Sequence, residues 1–340
     1  MRSLGSDNHC GVHPALMSAI ISANTGHQAA YQTDSLSTAC AAVWREHFGP
    51  APVSYVFNGT AANVLALRAI TPGFGAILCS DVAHLHADAG ASPEFMLGCK
   101  VQPVASIAGK LSVEALLPYF ERAGDQHVAQ PKALSLTQPT EWGTVYTLQE
   151  LRALCDFAHA RGMRVHMDGT RLIHAAVYLD CSLAALTRDV GVDALAFGGS
   201  KNGLMGGEAV LLFAPEDARD IKYMRKQLMQ LPSKTRFLAA QFQALLQGDV
   251  WQHISAHCLQ MAQALACGVA AVCGVEIVHQ VQANMVFVTM PRAWVKRLRQ
   301  HIFFYVWQRS PCMVRFVTSF DTTQQDIDVL VHHMQALARS

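Results

Sequence analysis

Three short stretches of this chain carry residue types that could do chemistry: a lysine set among glycines, an aspartate closing an apolar run, and a glycine–threonine turn. The lysine is Lys201, in Phe197-Gly198-Gly199-Ser200-Lys201-Asn202-Gly203. Flanking glycines leave its amine free to reach into a pocket. Burial among apolar and cationic neighbours would lower the amine's pKa, as a nucleophilic lysine requires. Taken alone, an exposed loop lysine is the ordinary alternative. The aspartate is Asp168, in His166-Met167-Asp168-Gly169-Thr170-Arg171. A carboxylate at the end of an apolar strand is costly without a cationic partner. A structural ion pair or a protonated pyridine nitrogen would each serve. The turn is Phe57-Asn58-Gly59-Thr60-Ala61-Ala62-Asn63. Its glycine lets backbone N–H groups approach a phosphate and its threonine adds a hydroxyl donor. A plain helix cap is the competing reading.

What raises the chemical reading is the combination. Each stretch follows a strand pattern, and ligands of open α/β sheets gather where strands end and helices begin. Asp168 and Lys201 stand 33 residues apart at the ends of separate expected strands. With the Gly59-Thr60 turn they offer a grip on a ring nitrogen, an aldehyde and a phosphate, the three needed for pyridoxal 5′-phosphate (PLP).

The elements that must position these residues follow from periodicity and punctuation. Strands are expected at 53–57, 76–79, 100–104, 133–137, 164–167, 194–197 and 209–213. Helices are expected at 35–48, 60–70, 111–122 and 147–161, the last with Thr147 as cap, Glu150 at the box position and Gly162 after its end. Such alternation argues for an α/β fold with a mostly parallel central sheet. Beyond about residue 245 the pattern changes. A long helix at 251–272 leads to strands at 275–278, 285–289, 303–306 and 314–317, with a helix after Pro291 and a closing helix at 322–338. The chain is therefore expected to form a large unit, 1–245, and a small C-terminal α+β unit, 246–340.

Bulk properties narrow the partners. The chain has 340 residues, 51% hydrophobic and only 15% charged. That leaves much apolar surface to cover in a core and a subunit interface. A formal net charge of +1 without a basic block argues against nucleic acid. Ten scattered cysteines without a C-x-x-C pair fit free thiols in a reducing cytoplasm. The sixteen histidines show no metal-ligand spacing. The polar opening stretch, 1–10, does not read as a signal peptide, and no apolar run approaches a membrane span.

The sequence resembles the low-specificity L-threonine aldolases, fold type I PLP enzymes of the aspartate-aminotransferase superfamily. The likeness runs from Ser6-Asp7-Asn8 almost to the C-terminus. It is carried by FNGTAANVLALRA (57–69), AH (83–84), LSLTQPTEWGTVYT (134–147), HMDGTR (166–171), FGGSKNG (197–203), RKQLMQLPSKTRFLAAQF (225–242) and VRFVTSFDTT (314–323).

The resemblance implies a catalytic set of Lys201, His84 and Asp168. Lys201 would be the Schiff-base lysine, Asp168 the partner of the pyridine nitrogen, and Gly59 and Thr60 the phosphate grip. His84 would stack on the ring, with a general-base role toward the substrate hydroxyl as an alternative to stacking alone. Ser6, Arg171 and Arg315 would converge on a substrate carboxylate, Arg171 also touching the cofactor. Tyr31 and Asp34 would reach the neighbouring subunit's site in a homodimer or homotetramer. The reaction implied is retro-aldol cleavage of L-threonine, L-allo-threonine and similar amino acids to glycine and an aldehyde. Another PLP reaction on the same scaffold (transamination, racemisation or β-elimination) and a catalytically weak relative are the alternatives.

The chain departs from the family pattern at Thr170, where alanine is usual, at Ala89, where an acid is common, and at Gln32, where glycine is usual. Glu141 stands where some relatives have histidine. Lys234 reads as a surface lysine, with reach to a phosphate in an oligomer as the alternative.

Overall fold

The computed structural model describes residues 2–339; Met1 and Ser340, the outer ends of the two expected units, lie outside the described residues. The apolar runs form the seven strands of one sheet: β1 (Val53–Val56), β2 (Gly75–Ser80), β3 (Lys100–Val104), β4 (Gln130–Thr137), β5 (Arg164–Gly169), β6 (Ala194–Phe197) and β7 (Glu208–Leu212). Their spatial order is β1-β7-β6-β5-β4-β2-β3. All pairs are parallel except those of β7, which runs antiparallel to β1 and β6. β6 and β7 are wholly buried and β5 nearly so, as expected of strands covered by helices on both faces. The register sets Thr137 beside Asp168, Asp168 beside Ala196, and Glu208 beside Val56. The ends of five strands thus line up along one edge of the sheet.

Local chemistry fixes the covering helices. Asn58 caps Gly59–Ile70 by accepting the Ala61 N–H, and Thr147 with Glu150 forms a full capping box for Leu148–His159. Ser35–Phe48 is capped by Asp34 and stops at Gly49, whose φ of 79° suits glycine. The expected helix at 111–122 is instead a short α-turn, Val113–Leu116, running into a 3-10 turn, Leu117–Phe120. Pro118, without an N–H, breaks the longer helix there. Helices Pro14–Ala23, Leu172–Leu179, Ile221–Gln227 and Arg236–Leu246, with the short turns His84–Ala87 and Ser92–Leu97, had no counterpart in the sequence reading. Of these, Pro14–Ala23 and Arg236–Leu246 pack on each other beside Ser35–Phe48.

A second sheet holds β8 (Glu276–Ile277), β9 (Met285–Thr289), β10 (Tyr305–Gln308) and β11 (Met313–Val317), antiparallel in the order β10-β11-β9-β8. Helix Val250–Ala270 serves both sheets. Its Trp251, Ile254 and Cys258 pack in the large core, and its Met261, Leu265 and Val269 in the small one. The N-terminal segment joins the small core too, since Arg2–Ser3 pairs with Ile302–Phe303 and Leu4 is fully buried there. This crossing carries Ser6 and Asp7 over the end of the large sheet. No helix among the described residues is long and apolar enough to cross a membrane, and no group of potential metal ligands occurs among them. All ten cysteines are free.

Candidate active site

The end of β5 delivers Asp168 into the protein interior, 5% exposed. Its Oδ1 accepts the Thr170 backbone N–H at 3.0 Å and the Thr170 hydroxyl at 2.6 Å. Its Oδ2 accepts the Asn63 amide at 2.7 Å. Burial pushes the carboxyl up, but Thr170, the nearby His84 and Asn63 outweigh it and hold the group below the usual carboxylate range. Among the described residues no salt bridge involves this ionised group. Asn63 projects from helix Gly59–Ile70, one turn beyond the Gly59-Thr60 start.

Between β6 and β7 the chain must turn sharply. A Cβ on Gly198 would overlap the Thr170 carbonyl, and one on Gly199 would overlap the Gly207 carbonyl, so both positions need glycine. Asn202 ties the turn down by donating to the Gly198 carbonyl at 2.8 Å and the Thr170 carbonyl at 3.2 Å. Buried Glu208 accepts the Gly199 N–H. Lys201 emerges from this turn. The positive charge of Arg171 and then burial lower its pKa, against the opposing charges of Asp7, Asp168 and Glu208.

The N-terminal segment and β11 supply the facing wall. Asp7, 1% exposed, takes both arms of Arg171, at 2.6 Å from Nε and 2.8 Å from Nη2. Burial pushes the Asp7 carboxyl up, but Arg171, Lys201 and the Asn284 amide outweigh it and bring it down to about 2. Arg315 has no such partner. Its Nε is buried without a hydrogen bond, its Nη2 reaches only the Gly5 carbonyl at 3.5 Å, and its guanidinium lies 4.6 Å from the centre of the Trp307 ring. Burial and then the charge of Arg171 lower its pKa to about 10. Glu141, from the loop after β4, accepts the His84 backbone N–H at 2.8 Å and the Thr137 hydroxyl at 2.9 Å on Oε1, while its buried Oε2 has no partner. Burial pushes the Glu141 carboxyl up to about 7.

These groups surround one cavity of about 460 Å³. Eight residues singled out from the sequence line it: Ser6, Gly59, Thr60, His84, Asp168, Arg171, Lys201 and Arg315. Tyr31 does not; it is 53% exposed, its N–H bonded to the Ser233 carbonyl. Asp34, grouped with it in the sequence reading, is buried as a helix cap and also accepts the Thr235 hydroxyl. Lys234 lines a separate groove with Gly26–Ala30. Asp7, Asn63 and Glu208 were not singled out. Ala89, one of the departures from the family pattern, is buried, and its neighbour Asp88 lines the cavity.

With the geometry in hand, comparison with known proteins is direct. Residues 3–292 match the family described as beta-eliminating lyase. The low specificity L-threonine aldolase of Pseudomonas aeruginosa is 38% identical, over 94% of this chain and 93% of its own length. That of Pseudomonas sp. is 37% identical over 99% and 98%. The structure of Leishmania major threonine aldolase superposes with a TM-score of 0.94 at 25% identity, covering 99% of this chain and all of that one. The class is that of the fold type I PLP-dependent enzymes. The chain belongs to the beta-eliminating lyase family and, more closely, to the low specificity L-threonine aldolases.

Proposed function

We propose that this chain cleaves L-threonine, L-allo-threonine and other β-hydroxy-α-amino acids to glycine and an aldehyde, using PLP. The observation that carries the substrate class is Arg315. A guanidinium held in a cavity without an acidic partner is costly until a ligand supplies one, and an α-carboxylate fits its planar fork. The donor set suits the cofactor as well. Asp168 is ionised with no protein cation bound to it, and so can take the proton-bearing pyridine nitrogen. Helix Gly59–Ile70 presents its N-terminus, with Gly59 and Thr60, to a phosphate. Lys201, its pKa lowered, is placed to carry the aldehyde carbon. Bound there, PLP would supply an electron sink for the charge left on Cα when the Cα–Cβ bond breaks.

The chain's own residues do the rest. Arg315 fixes the carboxylate with help from Ser6, and so decides which Cα bond stands where it can break. Arg171 contributes its positive charge and the donors of Nη1, because Asp7 takes Nε and Nη2. His84 covers the ring or takes the β-hydroxyl proton, its backbone fixed by Glu141.

The same reading extends to assembly. We propose a homodimer or homotetramer in which Tyr31 approaches the neighbouring subunit's site. Exposed Tyr31, Phe57 and Met229 cluster around the 229–233 segment and support it. Cytoplasmic residence is proposed from the ten free thiols. Separate cores for the two sheets support a division near 245/246, with the N-terminal segment and the first half of helix Val250–Ala270 crossing over.

The experiment is acetaldehyde release from L-threonine and L-allo-threonine by PLP-loaded protein, with Lys201→Ala as control. Release by the wild type alone is expected. No release of any aldehyde from a panel of β-hydroxy amino acids, despite bound PLP, would overturn the assignment.

A further inference from the structure

One buried carboxylate of the cavity has no task in the reaction just described. Glu208 opens β7 and sits in register beside Val56, whose chain runs on through Phe57 and Asn58 into Gly59 and Thr60. On its other side it meets the Lys201 turn, accepting the Gly199 N–H. It lines the same cavity as Gly59, Thr60, Ser200 and Lys201, and is 5% exposed. A phosphate ester held at the start of helix Gly59–Ile70 would share this corner with the carboxylate. Two anions side by side in a water-poor site cannot both stay fully charged. Little around Glu208 offsets the repulsion. β1 (VSYV) and β6 (ALAF) bring no charged side chain, and helix Gly59–Ile70 carries only Arg68, in its far last turn. Among the described residues the cation that lowers it is Lys201, the residue the cofactor itself would engage.

We propose that Glu208 belongs to the phosphate site and binds the ester in its protonated form, so that cofactor uptake above neutral pH takes a proton from solvent. This rests on the assignment of Gly59 and Thr60 to the phosphate. The proton turns the repulsion into an O–H···O hydrogen bond, with the carboxyl donating to a phosphate oxygen. Burial has already raised Glu208 to about 7, against the lowering pull of the Gly199 N–H, Ser200 and Lys201, so the proton is within reach near neutrality.

The test uses full-length protein stripped of cofactor and pyridoxine 5′-phosphate, which carries the phosphate without the aldehyde. Its binding heat at pH 8.5 is measured in buffers of different ionisation enthalpy. The wild type is expected to take up close to one proton per ligand and Glu208→Gln almost none. The variant should bind roughly tenfold tighter than wild type at that pH. The wild-type Kd should rise about tenfold per pH unit above neutrality. Equal proton uptake by the two proteins, or a wild-type Kd that does not change with pH, would overturn the proposal. Should Glu208→Gln not fold, the wild-type pH profile decides alone. Binding that is the same in Thr60→Val as in wild type would instead remove the phosphate assignment, and this proposal with it.

Discussion

Arg171 and Arg315 face the same cavity and are the same residue type, yet they are held in opposite ways. Arg171 arrives from the end of β5 with two donors locked on buried Asp7. Arg315 arrives from β11 with its Nε unpaired and only a long contact to a carbonyl. The difference extends to the surfaces around them. On the large-sheet side, Asp168 and Asn202 are held by neighbouring groups before any ligand comes. By contrast, Arg315 across the cavity and the Oε2 of Glu141, in the loop after β4, are left open. A paired buried charge builds the frame, and an unpaired one marks where a ligand of opposite charge is to lie.

The comparison can be broken in order of expected effect. Lys201→Ala should abolish aldehyde release while leaving the thermal transition in place; turnover at wild-type rate would remove the lysine from the chemistry. Asp7→Asn should strike the frame, because it strands Arg171 beside Lys201 and Arg315. Breaking a buried pair from one side costs about 3–5 kcal/mol, read as a drop in unfolding free energy. A loss under about 1 kcal/mol would mean the pair is ornamental. Arg315→Ala should do the reverse, sparing stability and raising KM by roughly 10- to 100-fold, the ~1.5–3 kcal/mol of a charge-assisted contact. An unchanged KM would exclude it from the carboxylate site. Thr170→Ala removes one hydroxyl from Asp168. It should weaken PLP binding only several-fold, since a single hydrogen bond contributes about 1 kcal/mol.

The sequence made the frame legible wherever the signal is local. β3, β6, β9 and helix Ser35–Phe48 fall on the residues that periodicity and caps indicate. The sequence reads glycines 198 and 199 as freeing the Lys201 amine; the fold adds that a Cβ at either would overlap a backbone carbonyl. Asp7 was hidden. It lies in a polar stretch that reads as a turn, and its partner Arg171 is 164 residues away. Asn63 was hidden inside an apolar helix, and Glu208 at the start of a strand whose apolar run begins one residue later. Their roles depend on which strand ends become neighbours, and only the sheet order decides that. Thr170 was read as a departure from the family pattern; the fold turns it into a second donor to Asp168. Periodicity alone predicts a helix at 111–122, which Pro118 divides.

The smallest effect is a cancellation, and it sharpens the comparison once more. His166 and His174 lie buried behind the site, each bonded through Nδ1 to a serine hydroxyl, with Nε2 unpaired. Burial lowers both to about 4. Their folded pKa lies below the ordinary 6.5, so the stability they confer is complete above that value and is lost as the pH falls towards 4. Glu141 and Glu208 run the other way. Burial raises them to about 7, above the ordinary 4.5, so their contribution is complete below 4.5 and is lost as the pH rises through 7. Between pH 7 and pH 4.5 each histidine gives up, and each carboxyl gains, on the order of 2 kcal/mol. The opposed contributions of these two pairs therefore largely offset one another across that window. Glu208→Gln removes one of the two gains. It should lose on the order of 2 kcal/mol more than wild type on acidification, read from urea unfolding at the two pH values. Parallel losses in wild type and variant would show that Glu208 is already ionised at neutral pH. The carboxyl would then belong with the prepaid frame around Asp168 and Arg171, and not with the groups that wait for a ligand.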